Sequence, residues 1–513
     1  MLARVQSSAI LGINGIPLSV EVDNAPGLNR FTIVGLPDAA VKESQERVNS
    51  AIKNSGFRSP RGITVVNLAP ADIRKEGSAL DLPIALGLLA ATDQLSGERF
   101  SDYALVGELA LNGSVRPVAG ALPMTLAARD ANLKGILVPQ DNAEEAGVVP
   151  GIQVIPIETL AQASEFLAGE AEISPFVTDT AALLTETTGH TLDLSDVKGQ
   201  THVKRAMTIA AAGGHNLLMV GPPGTGKTML ASRLPGILPT MTFEEALETT
   251  RVYSVAGALR DGKKLVVQRP FRTPHHTATT VSISGGGHGM RPMPGEVSMA
   301  HNGVLFLDEL PEFNRGALEV LRQPLEEGLV HIRRAMYGVT FPSRFLLVVA
   351  LNPCPCGYRS HPQKRCRCSF GEIQRYMTRL SGPLLDRIDL HVDVPALTYD
   401  EISDSRQSGP TTPEVRAIVQ GVRDRQRNRY NGRFACNAHL DSKSIREHCS
   451  MGEAAQRLLQ DAMERLGLSA RAYDKVLRVA RTIADIDSAE IISEHHLAEA
   501  VQYRTLDQEL VTP

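Results

Sequence analysis

Short apolar runs alternate with helical patterns along the first 170 residues of the chain, which predicts a mixed α/β domain. Strands with alternating or continuous apolar residues are predicted at residues 18–22, 31–34, 63–67 and 135–139. Helices are predicted at residues 41–55 and 80–91, and the second of them is apolar nearly throughout.

The second half of the chain contains three uninterrupted apolar runs, which predict strands buried on both faces of a parallel sheet. They cover residues 217–220, 304–307 and 345–351, and a glycine or a polar residue follows each of them. From about residue 399 the pattern is helical, with helices predicted at 414–430 and after the N-cap Ser469. The fold class is therefore multidomain α/β with a helical C-terminal domain.

Composition divides the chain into four parts. Residues 171–192 are rich in threonine and acids and have few apolar positions, which predicts a linker. It separates a first domain at residues 1–170 from a second α/β module at 193–397, in which Asp196 is expected to cap a helix. Residues 398–513 form the helical C-terminal domain.

Residues 271–300 hold so many glycines and prolines that we expect a long irregular loop inserted in the second module. Such loops are usually functional, which would make Arg272, His288 and Arg291 available for phosphates. A surface loop without that role is the alternative. The adjacent His275 and His276 are predicted to be structural rather than metal ligands, because neighbouring side chains point apart.

A glycine-rich loop follows the first buried strand and precedes a helical segment. Its glycines let backbone N–H groups turn towards phosphate oxygens, and the helix N-terminus adds partial positive charge. Lys227 can reach the β and γ phosphates of ATP, and the Thr228 hydroxyl can bind Mg²⁺. Strand, loop and helix in this order predict a P-loop, and a second motif argues against a coincidental turn. The loop consists of Gly221, Pro222, Pro223, Gly224, Thr225, Gly226, Lys227 and Thr228.

The second buried strand ends in two adjacent acids, Asp308 and Glu309. Asp308 is expected to hold Mg²⁺ at the carboxyl end of the strand, where parallel sheets bind ligands. Glu309 is expected to activate or orient the attacking water. A solvated strand end is the alternative, and the P-loop upstream argues against it. The two motifs together predict an ATPase.

Charge and hydropathy exclude several classes of protein. A net charge of −4 over 513 residues gives no global basic field, so nucleic acid would have to bind local patches. The longest apolar run, residues 82–92, is far shorter than a membrane span, and no signal peptide is visible. We therefore expect a cytoplasmic protein without a membrane partner.

Four of the six cysteines lie within 15 residues, whereas a disulfide framework needs more. Paired thiolates from two turns can form a tetrahedral Zn²⁺ site, and four protein ligands leave no open position for catalysis. A metal would thus brace a knuckle at residues 353–370. The Cys-x-Cys spacing is tighter than usual, and free thiols or a redox pair are the alternatives. The cluster comprises Cys354, Cys356, Cys366 and Cys368, while Cys436 and Cys449 are expected to be free.

Two local basic patches are candidates for phosphate contacts. The knuckle contains Arg359, Lys364, Arg365 and Arg367, which make it a candidate DNA contact. A second group of arginines lies near the end of the helix predicted at 414–430. We interpret it as a solvated helix face, and the alternative is a surface that binds nucleic-acid phosphates. This second group comprises Arg423, Arg425, Arg427, Arg429 and Arg433, while Arg478 and Arg481 are expected to be structural.

The first domain resembles the proteolytic domain of the Lon proteases. The likeness rests on residues 107–120, 126–128 and 136–139, and it implies a fold of the ribosomal-protein-S5 second-domain type. Ala79 and Leu122 stand where that family has its catalytic serine and lysine. Ser78 lies one residue early, so a shifted alignment restores a hydroxyl, but nothing replaces the lysine as base. We expect a scaffold or ligand-binding domain rather than a protease.

The second module resembles the AAA+ ATPases, and the whole chain resembles the ComM/YifB subfamily of the magnesium-chelatase-like AAA+ proteins. This resemblance implies a sensor-1 role for Asn352, a sensor-2 role for Arg471, and an arginine finger at Arg387 that reaches the neighbouring subunit. The alternatives are a turn cap at Asn352 and a salt bridge from Arg387 to Asp386 or Asp389. The likeness is carried by residues 221–228, 308–309, 352–356, 381–390 and 469–487.

The resemblance also implies a function. It points to a homohexameric, ATP-driven ring that moves on branched or single-stranded DNA as a branch-migration helicase in recombination or natural transformation. The P-loop and the acids add Mg²⁺ to this expectation, and the cysteine cluster adds Zn²⁺. A protein-remodelling ring, either chaperone or protease regulator, is one alternative, although residues 284–295 lack the aromatic residue that grips a polypeptide. A magnesium-chelatase motor subunit is the other, although that class lacks both the Lon-like domain and the four-cysteine knuckle.

Overall fold

The computed structural model contains two α/β units followed by a helical domain. It describes the chain except for residues 76, 186–191, 260–264, 288–291, 335–336, 360, 399–400, 402–408, 467–468 and 507–513. The predictions for His288 and Arg291 lie outside the described residues. Within the described part of the chain, no helix has the length and apolar character needed to cross a membrane.

The first domain is a mixed sheet covered by helices. Its strands are β1 (Leu2–Leu11), β2 (Asn14–Ala25), β3 (Arg30–Val34), β4 (Ile63–Ala69), β5 (Tyr103–Leu105), β6 (Glu108–Leu109), β7 (Val115–Arg116), β8 (Gly135–Pro139) and β9 (Gln153–Ile157). Its helices are α1 (Ala39–Asn54), α2 (Asp81–Ala91), α3 (Ala121–Asp130), α4 (Ala143–Ala146) and α5 (Leu160–Ala168). Seven strands form one sheet in the order β3-β4-β2-β1-β5-β8-β9, and β6 pairs with β7.

All the elements predicted for this domain are present, but the sequence pattern does not predict β1. This strand pairs antiparallel with β2 along its whole length, from Leu2 opposite Asp23 to Leu11 opposite Asn14. Helix α2 packs on β1 and β2 and also contacts α1 and α5, which explains why all of its residues are apolar or buried. The described part of the predicted linker contains a helix, α6 (Thr180–Thr185).

The second module is built on a parallel sheet. Its strands are β10 (Leu217–Val220), β11 (Phe271–Arg272), β12 (Gly285–Gly286), β13 (Met293–Pro294), β14 (Val304–Leu307), β15 (Leu329–Arg334), β16 (Tyr337–Pro342), β17 (Leu346–Leu351) and β18 (Leu390–Asp393). Five of them form the parallel sheet, in the order β11-β14-β17-β10-β18. The three apolar strands predicted from the sequence occupy its centre, where both faces are covered.

Helices cover this sheet on both sides. They are α7 (Thr201–Gly213), α8 (Lys227–Ala231), α9 (Leu234–Ile237), α10 (Phe243–Val255), α11 (Thr280–Ser284), α12 (Glu296–Met299), α13 (Arg315–Glu319), α14 (Arg322–Glu327), α15 (Phe370–Met377) and α16 (Gly382–Leu385). The predicted cap at Asp196 is wrong in its detail. Asp193 caps a short 3₁₀ turn at Leu194–Asp196, and α7 begins only after Gln200.

The segment at 271–300 contains more regular structure than predicted, namely β11, α11, the β12–β13 hairpin and α12. Its glycines allow the close backbone approach in the hairpin, because a Cβ on Gly295 would lie 2.2 Å from the nitrogen of Gly285. Arg272 is not available for phosphates, since its guanidinium binds both carboxylate oxygens of Glu296 at 2.7 and 2.8 Å.

The C-terminal domain is helical, as predicted. It comprises α17 (Thr412–Tyr430), α18 (Ser442–His448), α19 (Glu453–Leu466), α20 (Ala470–Ile486) and α21 (Glu494–Gln502). The buried Asp485 carboxylate binds Arg429 at 2.5 and 3.0 Å and also pairs with Arg481. Arg423 and Arg425 donate to the backbone carbonyls of Ala211 and Asp485.

These contacts correct the interpretation of part of the arginine group at 423–433. Arg423, Arg425 and Arg429 join helices of the domain to each other and to α7. Arg427 and Arg433 pair with Asp424 and Asp441, and all four side chains are about half exposed, as expected of a solvated face.

The first domain packs directly on the second module through two apolar clusters. One contains Leu126 and Val148 of the first domain together with Met241 and Ala246 beside and within α10. The other contains Ile13 together with residues of α10, α12 and the β15–β16 hairpin. Between the clusters, the Ser254 hydroxyl of α10 donates to the buried Glu145 carboxylate. Burial raises the pKa of Glu145 despite this hydrogen bond.

Candidate functional site

The nucleotide motifs meet at one edge of the parallel sheet. Strands β14, β17 and β10 lie side by side, so their carboxyl ends share this edge. The P-loop follows β10, Asp308 follows β14, and Asn352 follows β17. Because β17 lies between the other two strands, Asn352 is positioned between the P-loop and the two acids. Sheets of this kind bind their ligands at this edge.

The P-loop has the backbone conformation that its glycines permit. Gly224 and Gly226 have φ values of +80° and +87°, which favour glycine, and Gly226 is the N-cap of α8. The Lys227 ammonium donates to the carbonyls of Gly221 and Pro222 at 2.7 and 2.9 Å and to Asn352 Oδ1 at 3.2 Å. Burial lowers the pKa of Lys227, and the nearby Asp308 and Glu309 oppose this effect. The lysine is thus held inside the loop, where a phosphate would replace its carbonyl partners.

The predicted magnesium ligands are adjacent. Thr228 Oγ1 donates to Asp308 Oδ2 at 2.7 Å, although the two residues are 80 positions apart in the sequence. A hydroxyl and a carboxylate at this separation fit Mg²⁺, which is commonly held by one or two protein oxygens together with phosphates and water. Thr228 and Asp308 would hold the ion, and the ion would neutralise charge on the β and γ phosphates.

Glu309 has a left-handed backbone, with φ +52° and ψ +48°. This conformation is uncommon for residues other than glycine and is often found at functional sites. Its carboxylate Oε2 lies 3.9 Å from Nδ1 of His276. His276 in turn stacks on His275, with ring centroids 4.0 Å apart, so the prediction that the two side chains diverge is wrong. No local pattern indicates the proximity of His276 to Glu309, because it depends on the pairing of β11 with β14.

The two arginines predicted as finger and sensor 2 differ in exposure, since the Arg387 side chain is only 16% exposed. Arg387 binds the Glu326 carboxylate and the Pro383 carbonyl, so neither of the predicted partners, Asp386 and Asp389, pairs with it. Arg471 is exposed in the first turn of α20, after the N-cap Ser469. The finger and sensor-2 roles remain predictions, since both depend on assembly or on bound nucleotide.

The four cysteines of the knuckle converge. All four sulfur atoms lie within 4.8 Å of one another, and Cys354 Sγ is 3.4 Å from Cys356 Sγ and 3.7 Å from Cys366 Sγ. Sulfur atoms around a tetrahedral Zn²⁺ are roughly 3.8 Å apart, given a Zn–S distance of about 2.3 Å. The donor set therefore fits a structural zinc ion.

The surroundings of the cysteines favour a thiolate at Cys356 but the protonated thiol at Cys354 and Cys368. Backbone N–H groups of Arg367 and Tyr358 donate to Cys356 and lower its pKa to about 6. Burial raises the pKa of Cys354 to about 12, so this thiol needs a metal to lose its proton readily. Cys436 and Cys449 are free and buried, as predicted.

The first domain has a cavity where the Lon resemblance expects a catalytic site. Ser8, Ser78, Ala79 and Glu108 contribute to its lining, and the Ser78 hydroxyl donates to the Glu108 carboxylate. The described residues that line this cavity include no lysine or histidine. Leu122 is fully buried in the apolar cluster against the second module. The geometry thus offers no lysine base for Ser78.

Sequence reasoning also missed a buried charge cluster beneath the sheet. The Asp389 carboxylate lies 3.1 Å from the Lys475 ammonium and 3.7 Å from His215 Nδ1, and it accepts the N–H of Asn216. These residues come from three distant parts of the chain, so no local pattern could have indicated the cluster.

Three family models match the chain. The model for magnesium chelatase, subunit ChlI, matches residues 193–402, and the model for the C-terminal part of that subunit matches residues 409–504. A further model, for subunit ChlI of Mg-chelatase, matches residues 20–142. Together they span the first domain, the P-loop module and the helical C-terminal domain.

Several relatives match over nearly the whole length. The uncharacterized protein YifB of Escherichia coli is 45% identical over 511 residues, which is 99% of this chain and 98% of its own. Competence protein ComM of Haemophilus influenzae is 45% identical over 507 residues, 98% of each chain. A Lon protease of Azospirillum brasilense is 26% identical over 162 residues, 29% of this chain and 20% of its own. That weak likeness leaves the Lon-like fold of the first domain as a prediction.

Proposed function

Because the chain belongs to the ComM/YifB subfamily of the magnesium-chelatase-like AAA+ proteins, we propose that it is an ATP-hydrolysing, hexameric ring motor that acts on DNA. The observation that carries the ATPase part is the meeting of the P-loop, the Asp308–Glu309 pair and Asn352 at one sheet edge. The DNA part rests on kinship with a protein named for competence, the uptake of DNA by cells.

Each residue of the site has a role in this proposal. Lys227 leaves its loop carbonyls and binds the β and γ phosphates, while Thr228 and Asp308 hold Mg²⁺. Glu309 orients the water and accepts its proton, and Asn352 positions the γ-phosphate or the water. Arg387 of one subunit completes the site of its neighbour and stabilises charge in the transition state. The finger requires a ring, since the P-loop it serves belongs to another copy.

The proposal includes zinc in the knuckle and branch migration as the task of the motor. Four converging sulfur atoms support zinc, which would brace the knuckle rather than take part in hydrolysis. Branched or single-stranded DNA is the expected substrate, and the free cysteines agree with a reducing, cytoplasmic location.

ATP hydrolysis with and without forked or four-way DNA, at two salt concentrations, tests the proposal. We expect stimulation by DNA that weakens as salt rises, because phosphate contacts release counterions. Glu309→Gln should bind ATP yet hydrolyse it roughly 100-fold more slowly or worse, since it lacks the base. Lys227→Ala should bind ATP weakly.

Two outcomes would contradict this proposal. Normal turnover by Lys227→Ala would remove the P-loop assignment. Turnover that is indifferent to every DNA tested would favour a protein-remodelling ring, and the next search would be for a bound polypeptide.

A further inference from the structure

The four-cysteine knuckle has an unbalanced positive charge. Aspartate and glutamate are absent from residues 328–371, a region that includes the whole knuckle. The side chains of the four knuckle cations are exposed, and none of them forms an ion pair with a described residue. By contrast, the arginines at 423–433 bind carboxylates or carbonyls. The unpaired cations are Arg359, Lys364, Arg365 and Arg367.

The cysteines hold these cations on a rigid support. Arg365 and Arg367 flank Cys366, and the backbone N–H of Arg367 points at Cys356 Sγ. Cys354 is fully buried in the core of the ATPase module. The charged side chains therefore extend into solvent from a backbone that the cysteine cluster joins to the core beside the sheet.

Aromatic side chains accompany the charges. Phe370, two residues after Cys368, is 64% exposed, which is unusual for a phenylalanine. The Lys364 ammonium lies 5.0 Å from the ring centroid of Tyr358. Cations that follow a backbone of phosphates and an exposed ring on which a base can stack are the combination that binds single-stranded nucleic acid.

The knuckle also touches the nucleotide site. Cys354 follows Asn352 by two residues. Gly357 lies so close to the P-loop that a Cβ added to it would be 2.5 Å from Cδ of Pro223 and 3.8 Å from Cγ of Asn352. Asn352 in turn accepts a hydrogen bond from Lys227. A shift of the knuckle would therefore move two parts of the nucleotide site.

We propose that the exposed face of the knuckle, formed by the four cations and Phe370, binds single-stranded DNA and that the contact at Gly357 couples this binding to ATP turnover. This inference rests on the proposed function and names the surface that meets the DNA. DNA bound to the knuckle changes the position of Asn352 and the P-loop. Bound nucleotide in turn changes the affinity for DNA, because coupling between two binding sites is reciprocal.

The test compares wild type with a Lys364→Ala/Arg365→Ala/Arg367→Ala variant as full-length chains. We expect at least a tenfold loss of affinity for a fluorescent single-stranded oligonucleotide and a salt slope smaller by up to about three, one for each lost phosphate contact. Stimulation of ATP turnover at saturating DNA should be lost, while turnover without DNA is unchanged. Phe370→Ala should weaken single-strand binding but leave duplex binding as it is.

A matched control removes three exposed cations of the first domain, in Lys42→Ala/Lys53→Ala/Arg58→Ala. Equal loss of DNA binding in this control would reduce the effect to net charge and overturn the proposal. Full DNA binding by the knuckle variant, with wild type stimulated by DNA, would overturn it while leaving the proposed function intact. Lost affinity with stimulation retained at saturating DNA would overturn the coupling. If wild type itself neither bound DNA nor responded to it, the proposed function would fail as well.

Discussion

Asp389 is a single buried carboxylate that joins the parallel sheet to the C-terminal domain. It lies at the start of β18, and its partner Lys475 lies on α20 and also donates to the Ile388 carbonyl. Burial on its own would raise the pKa of Asp389, but Lys475 and His215 outweigh burial and hold the pKa well below its usual value. The ionised form is therefore part of the folded state.

Asp389→Asn should destabilise the protein by about 3–5 kcal/mol at pH 7, because it leaves the buried Lys475 without its counter-charge. The pKa of Asp389 is lower in the folded than in the unfolded state, so its stabilisation is present above about pH 4 and is lost as pH falls below that value. Thermal unfolding at pH 7 and pH 3 checks this: the difference in midpoint temperature between wild type and Asp389→Asn should be smaller at pH 3.

The exposed Asp461 provides the control for this prediction. Asp461→Asn should have the same midpoint temperature of unfolding as wild type at both pH values. Equal midpoints for wild type and Asp389→Asn at pH 7 would contradict the structural role of the pair.

Some residues of the site belong to one continuous segment, whereas others are brought together only by folding. Lys227 and Thr228 were identified from the sequence because a P-loop is a continuous segment with fixed spacing. His276 was not identified as a neighbour of Glu309, because it follows β11 and comes near Glu309 only through the pairing of β11 with β14. The sequence motif identifies the residues expected to react, and the pairing of strands determines which side chains lie next to them.

At the scale of elements, the site depends on the ends of three adjacent strands. Because β10, β14 and β17 are apolar throughout, they lie in the centre of the sheet. Each of them is followed directly by a glycine or a polar residue. The knuckle extends this pattern, since it begins directly after β17 and its first cysteine is buried in the same core. Asn352 is thereby held between a strand and a cysteine cluster.

Purified protein should contain about one zinc ion per chain by elemental analysis. Cys366→Ser/Cys368→Ser should contain none, and its thermal midpoint should fall because the knuckle loses its cross-link to β17. Cys449→Ala, at a cysteine outside the cluster, is the control and should retain the metal. A wild type that is stably folded without metal would exclude the tetrathiolate site.

At the scale of the whole molecule, helix α10 joins the first domain to the second module. That helix carries Ser254 towards Glu145 of the first domain and Tyr253 towards the carbonyl of Met299, just before β14. The first domain is thus packed onto the ATPase module next to the strand that ends in Asp308. Under the proposed function, the arginine that completes this site comes from a neighbouring subunit.

Arg387→Ala should reduce ATP turnover on the order of 1000-fold, while the ring still assembles with ATP, because the finger acts on the nucleotide of the next subunit. Mixing this variant with Lys227→Ala subunits should restore some activity, since the second variant supplies an intact finger to the intact P-loop of the first. Size-exclusion chromatography and ATPase assays of the mixtures measure both effects.

Arg375→Ala, at an exposed arginine of α15, is the control and should turn over ATP normally. The finger assignment would be wrong if mixtures showed no recovery or if Arg387→Ala alone remained active. In the free chain Arg387 is bound to Glu326, so assembly has to replace that partner.

The sequence alone determined the features that are written in continuous segments. These are the buried strands, the P-loop, the acids at 308–309, the cysteine spacing and the helical character of the C-terminal domain, because hydrophobic period and motif spacing act over a few neighbouring residues. The tertiary structure decided which charges are used inside the fold. Arg272 and the arginines at 423–433 are bound by carboxylates or carbonyls, whereas the knuckle cations form no ion pair with a described residue. A charge acquires its role from groups that are distant in the sequence, and only folding brings those groups within reach.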